Sequence, residues 1–205
     1  MTSFTVVTGG AGFVGKVLVA TLRERGERVR SFDLAPPSHP DDIQGSILNP
    51  VDLRRALNGA ESIFHLAGNA QLWAQNKTIF EQVNHLGTKN VLEAALNTQV
   101  GRVVHCSSLT TLVGRATSIG HSTASEDLRL EPASMLGAYP RSKLRAERAV
   151  EAAVSDGLDA VIAVPTEPIG PGDVGLTPPT QMILDFANGK TPAYIDCILN
   201  FVPLD

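Results

Sequence analysis

The sequence predicts an α/β fold, a doubly wound parallel sheet with helices on both faces. Three observations carry this. Short apolar runs alternate along the chain with longer segments of helical periodicity. The runs are rich in Val, Ile and Leu, as strands buried on both faces are. A glycine-rich turn, Thr8-Gly9-Gly10-Ala11-Gly12-Phe13-Val14-Gly15, joins the first run to the first helical segment.

Phe4-Thr5-Val6-Val7 reads as the first strand and Val17-Leu18-Val19-Ala20-Thr21-Leu22 as the first helix. Between them the glycines let the backbone turn tightly and approach a pyrophosphate. The helix start then offers free N–H groups and a positive dipole end. Arg28-Val29-Arg30-Ser31-Phe32-Asp33 is the second strand and ends in an acid. A carboxylate ~20 residues beyond such glycines accepts hydrogen bonds from an adenosine ribose and repels a 2′-phosphate. Leu34-Ala35-Pro36-Pro37 follows, with no Arg or Lys to hold that phosphate, so the chain favours NAD over NADP.

A short third run covers 43–47. Pro50 opens a helix through Leu57, which Asn58-Gly59 closes. Ser62-Ile63-Phe64-His65-Leu66-Ala67 is the fourth strand and runs into Gly68. A long helix is expected over 77–97, its apolar residues Ile79, Val83, Leu86, Val91, Ala94 and Ala95 recurring at mostly three- and four-residue steps. Arg102-Val103-Val104-His105-Cys106 is the fifth strand, 107–136 a long polar loop, and Tyr139 to Val154 a helix that Asp156-Gly157 ends. Asp159-Ala160-Val161-Ile162-Ala163-Val164 is the sixth strand, stopped by Pro165. Right-handed crossovers give strand order 3-2-1-4-5-6, the Rossmann arrangement. Its ligands sit at the carboxyl ends of the strands, near the switch between strands one and four.

The composition narrows the function. The chain has 205 residues, 43% hydrophobic and 19% charged, with 17 basic against 21 acidic side chains and a net charge of −4. There is no basic run for nucleic acid, and few aromatics for a base-stacking platform. Cys106 and Cys197 lie far apart, which suggests no disulfide framework and a reducing cytoplasm. The five histidines have no metal-ligand spacing. No apolar stretch reaches the ~18 residues of a membrane span. The chain enters a strand at once, leaving no room for a signal peptide.

Tyr139-Pro140-Arg141-Ser142-Lys143 sets a phenol and an ammonium four residues apart on one helix face. The nearby charge is expected to lower the tyrosine pKa toward neutrality, so that it can exchange a proton with an alcohol as hydride moves at its carbon. Ser107 and Ser108 stand at the end of the fifth strand, where a hydroxyl could bond the same substrate oxygen.

Glycine turn, strand-end acid, serine pair and Tyr-x-x-x-Lys, in this order, resemble an extended short-chain dehydrogenase/reductase of the NAD-dependent epimerase/dehydratase group. The chain also resembles its dihydroflavonol-reductase, 3β-hydroxysteroid-dehydrogenase and hopanoid-associated epimerase-like branch. The likeness covers nearly the whole chain. It implies that Ser108, Tyr139 and Lys143 are catalytic, with Ser107 and Thr110 as alternates for the serine. It places Gly9, Gly12, Phe13 and Val14 around the pyrophosphate, and Ser46 and Ile47 near adenine, where Ser46 departs from the family's usual acid. His65-Leu66-Ala67-Gly68 resembles H-L-A-A, with Leu66, Ala67 and Gly68 at the cofactor. Residues 83–90 resemble V-N-x-x-G-T-x-N with Asn84 close by, and Pro165 and Thr166 resemble the loop that meets the nicotinamide.

Two departures bear on substrate. Sugar-nucleotide epimerases usually carry V-Y-G where this chain reads Leu112-Val113-Gly114, and V-Y-G-P-G where it reads Pro168-Ile169-Gly170-Pro171-Gly172. Both tyrosines are missing, which favours an oxidoreductase of small-molecule secondary alcohols or ketones. A nucleotide-sugar epimerase/dehydratase and a non-catalytic NAD-binding module are the alternatives. The resemblance also implies a homodimer, through the helices over 77–97 and 139–154. It implies an NAD-binding domain over 1–176 and, over 177–205, the start of an incomplete C-terminal substrate lobe. An apolar patch from Met182, Ile183, Phe186, Ile195, Ile198, Leu199 and Phe201 would then be left exposed.

Overall fold

A computed structural model describes residues 3–115, 124–193, 196 and 198–204. Cys197 and Ile195, and 116–123 of the long polar loop, lie outside the described residues. The central sheet has six parallel strands in the order β3-β2-β1-β4-β5-β6. They are β1 (Phe4–Thr8), β2 (Val29–Asp33), β3 (Ile43–Gln44), β4 (Ala60–His65), β5 (Arg102–Cys106) and β6 (Ala160–Ala163). The expected order holds, and β3 is shorter than its apolar run. Two rows of paired residues show how the strands divide their side chains. Val6, Ile63, Val103 and Ala160 lie in register on one face, and Val7, Phe64, Val104 and Val161 on the other.

The first face holds most of the core. Helices α2 (Pro50–Leu57), α4 (Gly87–Asn97) and α5 (Ala138–Ser155) bring Leu53, Val91, Ala95 and Val150 against Val6, Ile63 and Val103. The second face packs Val7 and Val29 under Val19 and Leu22 of α1 (Phe13–Glu24). Cover thins across the sheet from there, and Val161 of β6 is 46% exposed.

The helix expected over 77–97 is interrupted. A short α3 (Thr78–Phe80) runs into a π-helical stretch, Glu81–Leu86, before α4. Within it the amide of Gly87 bonds the carbonyl of Gln82, five residues back. A further strand pair was not expected: β7 (Glu167–Ile169) lies parallel to β8 (Phe201–Pro203). Between them α6 (Pro178–Ala187) begins with two prolines, whose fixed φ suits a first turn.

The helices α4 and α5 turn most of their apolar residues inward. Leu92, Ala95, Ala146, Val150 and Ala153 are buried in the chain's own core, because both helices lie flat on the sheet. Leu96 and Val154 are exposed at their outer ends. The patch expected further on is exposed at Met182, Ile183, Phe186, Ile198 and Leu199, and half-buried at Phe201.

Candidate active site

The glycine turn is built for close approach. Gly9 has φ +71°, and a Cβ there would lie 2.7 Å from the amide nitrogen of Ala67. A Cβ on Gly15 would lie 2.1 Å from the carbonyl oxygen of Gly9. Gly12 precedes α1 with no side-chain cap, and no acid stands in the first turn. The helix start therefore presents unpaired N–H groups and a positive end to the cleft above it. Asp33 steadies the turn: its Oδ2 accepts from the Ala11 amide at 3.0 Å and its Oδ1 from Ala35, also at 3.0 Å. A recess of about 400 Å³ opens beside Asp33, lined also by Gly10, Ala11 and Pro36. A backbone cradle without side chains, an uncapped helix start and a strand-end carboxylate together fit the pyrophosphate and ribose of a dinucleotide.

The main cleft, about 610 Å³, lies over the carboxyl ends of β1, β4 and β5. It collects most of the residues singled out in the sequence. Gly9, Gly12, Phe13 and Val14 line one end, Leu66, Gly68 and Asn84 the floor, and Ser107, Ser108, Thr110, Tyr139, Lys143, Pro165 and Thr166 the other end. Ala67 supports the floor from behind Gly9. Ser46 and Ile47 line neither cleft. The hydroxyl of Ser46 accepts from the Leu48 amide, and Ile47 is buried where Gly87 leaves room for it. Leu72, Pro168, Pro178 and Met182 also line the cleft, and sequence reasoning missed them as site residues. Leu72 lies in the loop after β4, Pro168 on β7, and Pro178 and Met182 on α6, and no motif places any of them at a cleft.

The two serines separate in space. Ser107 Oγ donates to the carboxylate of Glu147, one turn beyond Lys143 on α5. Ser108 faces the cleft together with Tyr139, and its hydroxyl acts to lower the pKa of that phenol. Its oxygen also accepts from Thr110 N at 3.3 Å and Thr110 Oγ1 at 3.0 Å, which caps the 3₁₀ turn Leu109–Leu112.

Lys143 is buried, and its Nζ donates to the Cys106 carbonyl at 2.6 Å. Burial lowers its pKa, against the Cys106 thiol and Glu147, which raise it. Tyr139 does not show the lowered pKa expected of it. Burial pushes the phenol up, only partly opposed by the Ser108 hydroxyl. The reason is geometric: the ammonium is spent on the end of β5, and the ring is 8% exposed against Phe80, centroids 6.1 Å apart.

The π-helical stretch places Asn84. Its Oδ1 accepts from the Asn69 amide at 2.7 Å, and its Nδ2 donates to the Asn69 carbonyl at 3.1 Å and to Ser142 Oγ at 3.0 Å. Ser142 in turn donates to the Tyr139 carbonyl at 2.7 Å. One amide thus joins the loop after β4 to the start of α5. Among the described residues no group of His, Cys, Asp and Glu could hold a metal, and no helix is long and apolar enough to cross a membrane.

A family model described as "NAD dependent epimerase/dehydratase family" matches residues 5–196. A Synechocystis protein named putative dihydroflavonol 4-reductase is 35% identical over 96% of this chain and 58% of its own length. A 3 beta-hydroxysteroid dehydrogenase/Delta 5-->4-isomerase of Mycobacterium tuberculosis is 36% identical over 80% of this chain and 46% of its own. The chain therefore spans about half the length of these relatives. Among solved structures, the dTDP-glucose 4,6-dehydratase DesIV of Streptomyces venezuelae, with NAD and TYD bound, superposes with a TM-score of 0.82. It is 25% identical, over 98% of this chain and 68% of that one.

Proposed function

The chain belongs to the NAD-dependent epimerase/dehydratase family, and on that premise we propose that it serves an NAD-dependent oxidoreductase of apolar secondary alcohols or ketones. The observation that carries this is that Ser108, Tyr139 and Lys143 line one cleft, with Lys143 buried and bonded to the end of β5. NAD, when bound, supplies the hydride acceptor and, in its reduced form, the donor. Tyr139 holds its proton at rest, because burial disfavours the phenolate. In reduction its Oη gives that proton to the substrate oxygen and is left as phenolate, and in oxidation the phenolate form takes the alcohol's proton. Ser108 Oγ offers a second hydrogen bond to the same oxygen and keeps it beside the phenol. Lys143 holds the end of β5 beneath the site through its bond to the Cys106 carbonyl. Asp33 favours a free ribose 2′-hydroxyl over a 2′-phosphate.

The chemistry of the walls supports the substrate class. Near Tyr139 the cleft is closed by Leu72, Leu109, Pro168, Pro178 and Met182. Lys143 is the one cation among the described lining residues, and it is committed to the Cys106 carbonyl. A sugar nucleotide brings a diphosphate that would lack a partner there. The names of the two relatives, a dihydroflavonol 4-reductase and a 3 beta-hydroxysteroid dehydrogenase/Delta 5-->4-isomerase, support a substrate outside the sugar nucleotides. In this reading residues 1–176 bind the cofactor, 177–205 begin the substrate side, and the protein works as a cytoplasmic homodimer through the outer ends of α4 and α5.

The test is a substrate panel with NAD: 3β-hydroxysteroids and dihydroflavonols against UDP- and dTDP-hexoses. NADH absorbance rising with the apolar alcohols and not with the sugars is the expected result. Conversion of a nucleotide sugar without release of NADH would assign the site to epimerase or dehydratase chemistry.

A further inference from the structure

Beneath the cleft a set of hydrogen bonds fixes the tautomer of a histidine that the hydride chemistry does not touch. His65 ends β4 and is 1% exposed. Its Nε2 lies 2.9 Å from Thr88 Oγ1, and its Nδ1 lies 2.7 Å from Thr8 Oγ1. The proton of Thr88 is already assigned, because its hydroxyl donates to the Asn84 carbonyl at 2.6 Å. Toward His65, Thr88 can therefore only accept, and Nε2 carries a hydrogen. The ring is neutral, since burial and then the charge of Lys143 bring its pKa down to about 3. A neutral ring protonated at Nε2 is bare at Nδ1, so Thr8 is the donor there. Thr8 Oγ1 in turn accepts from the Ala67 amide at 3.2 Å.

The bonds thus run one way: Ala67 N–H to Thr8, Thr8 O–H to His65, His65 N–H to Thr88, Thr88 O–H to Asn84. Each end of this chain meets a working part of the cleft. Thr8 precedes Gly9, and the Ala67 nitrogen lies 2.7 Å from where a Gly9 Cβ would stand. Asn84 grips Asn69 and, through Ser142, the first turn of α5 where Tyr139 sits.

We infer that His65 is a positioning residue: through this one-way chain it holds the cofactor turn and the Tyr139 helix at a fixed spacing. The inference rests on the proposed role of Tyr139 for its kinetic readout, and not for its binding readout. A residue that merely filled space would need no particular donor and acceptor. Here the acceptor must stand at Nδ1 and the donor at Nε2. Their two jobs are therefore separable: an Asn side chain can accept from Thr8 but falls short of Thr88, and a Gln side chain can reach and donate to Thr88.

The experiment compares wild type, His65→Asn, His65→Gln and Tyr139→Phe in the full chain. NAD affinity is measured by titration, and proton-coupled hydride transfer by single-turnover absorbance. His65→Gln should keep transfer within about threefold of wild type and lose about tenfold in NAD affinity, the scale of one buried hydrogen bond. His65→Asn should show the reverse. Equal loss of both quantities in both variants, or no change in either, overturns the inference. The ¹⁵N spectrum of wild-type His65 gives a readout that needs no variant to fold: Nε2–H is expected, and Nδ1–H overturns the inference. If Tyr139→Phe keeps wild-type transfer while the Asn/Gln split persists, the proton-donor reading fails and the positioning role stands.

Discussion

Two imidazoles lie side by side near Lys143, His65 on β4 and its register partner His105 on β5, ring centroids 5.2 Å apart. They differ in how they are held. Both nitrogens of His65 are bonded, whereas neither nitrogen of His105 has a hydrogen-bond partner among the described residues. Burial first, and then the charge of Lys143, depresses the pKa of both, that of His105 well below its ordinary value. An unfolded histidine takes up a proton near pH 6.5, while these two refuse it when folded. Below that pH the unfolded chain binds more protons, so stability falls as pH drops from about 6.5 toward 3. His105→Leu forfeits no protein hydrogen bond and removes one of these two proton traps. Its unfolding free energy from urea titration should stay within about 1 kcal/mol of wild type at pH 7.5 and exceed it at pH 5. A variant equally destabilised at both pH values would show that His105 has a polar partner. At this scale placement was legible where a motif names the residue: Tyr139 and Lys143 line the main cleft and Asp33 the recess beside the glycine turn. The choice between Ser107 and Ser108 was not, because it depends on Glu147 reaching across from α5 to take one of them.

At the scale of the element, the strands were legible because each is an apolar run ended by a turn former, and their order followed from crossover handedness. The π-helical stretch was not, since hydrophobic periodicity registers a whole helix and not one widened turn. The pair β7 and β8 was hidden for another reason: both strands are three residues long and both contain proline. The glycine turn is the element on which binding depends most. Gly15 sits in the first turn of α1, where a Cβ would meet backbone on two sides, 2.1 Å from Gly9 O and 2.9 Å from Gly10 Cα. Neither atom can give without moving the turn. Gly15→Ala should cost about 2 kcal/mol of stability as an overpacked site. It should also weaken NAD by at least about tenfold, since the helix start no longer faces the pyrophosphate. Thermal unfolding with and without NAD reads both. A variant stabilised by NAD as strongly as wild type would contradict the assignment of this turn.

Across the whole molecule, the six-stranded sheet divides labour between its faces and its carboxyl edge. One face carries the core under α2, α4 and α5, and α1 covers the other at β1 and β2. The carboxyl edge gathers the glycine turn, Asn84, Ser108 and Tyr139 into one cleft from elements far apart in sequence. That convergence was legible, because a doubly wound sheet puts every strand end on one side. The state of the tyrosine was not. It depends on where the lysine points and how deeply the ring is buried, which spacing along a helix does not fix. The central claim is that this cleft moves hydride and proton together, with Tyr139 as the proton carrier. Its most direct test is label transfer from [4-²H]NADH to an apolar ketone, read by mass spectrometry of the alcohol, in wild type and Tyr139→Phe. Wild type should place deuterium on the carbinol carbon. Tyr139→Phe should bind NADH within a few-fold of wild type and transfer the label at least ~10²-fold more slowly, the scale of a lost acid/base group. Label transfer by Tyr139→Phe at the wild-type rate would contradict the account.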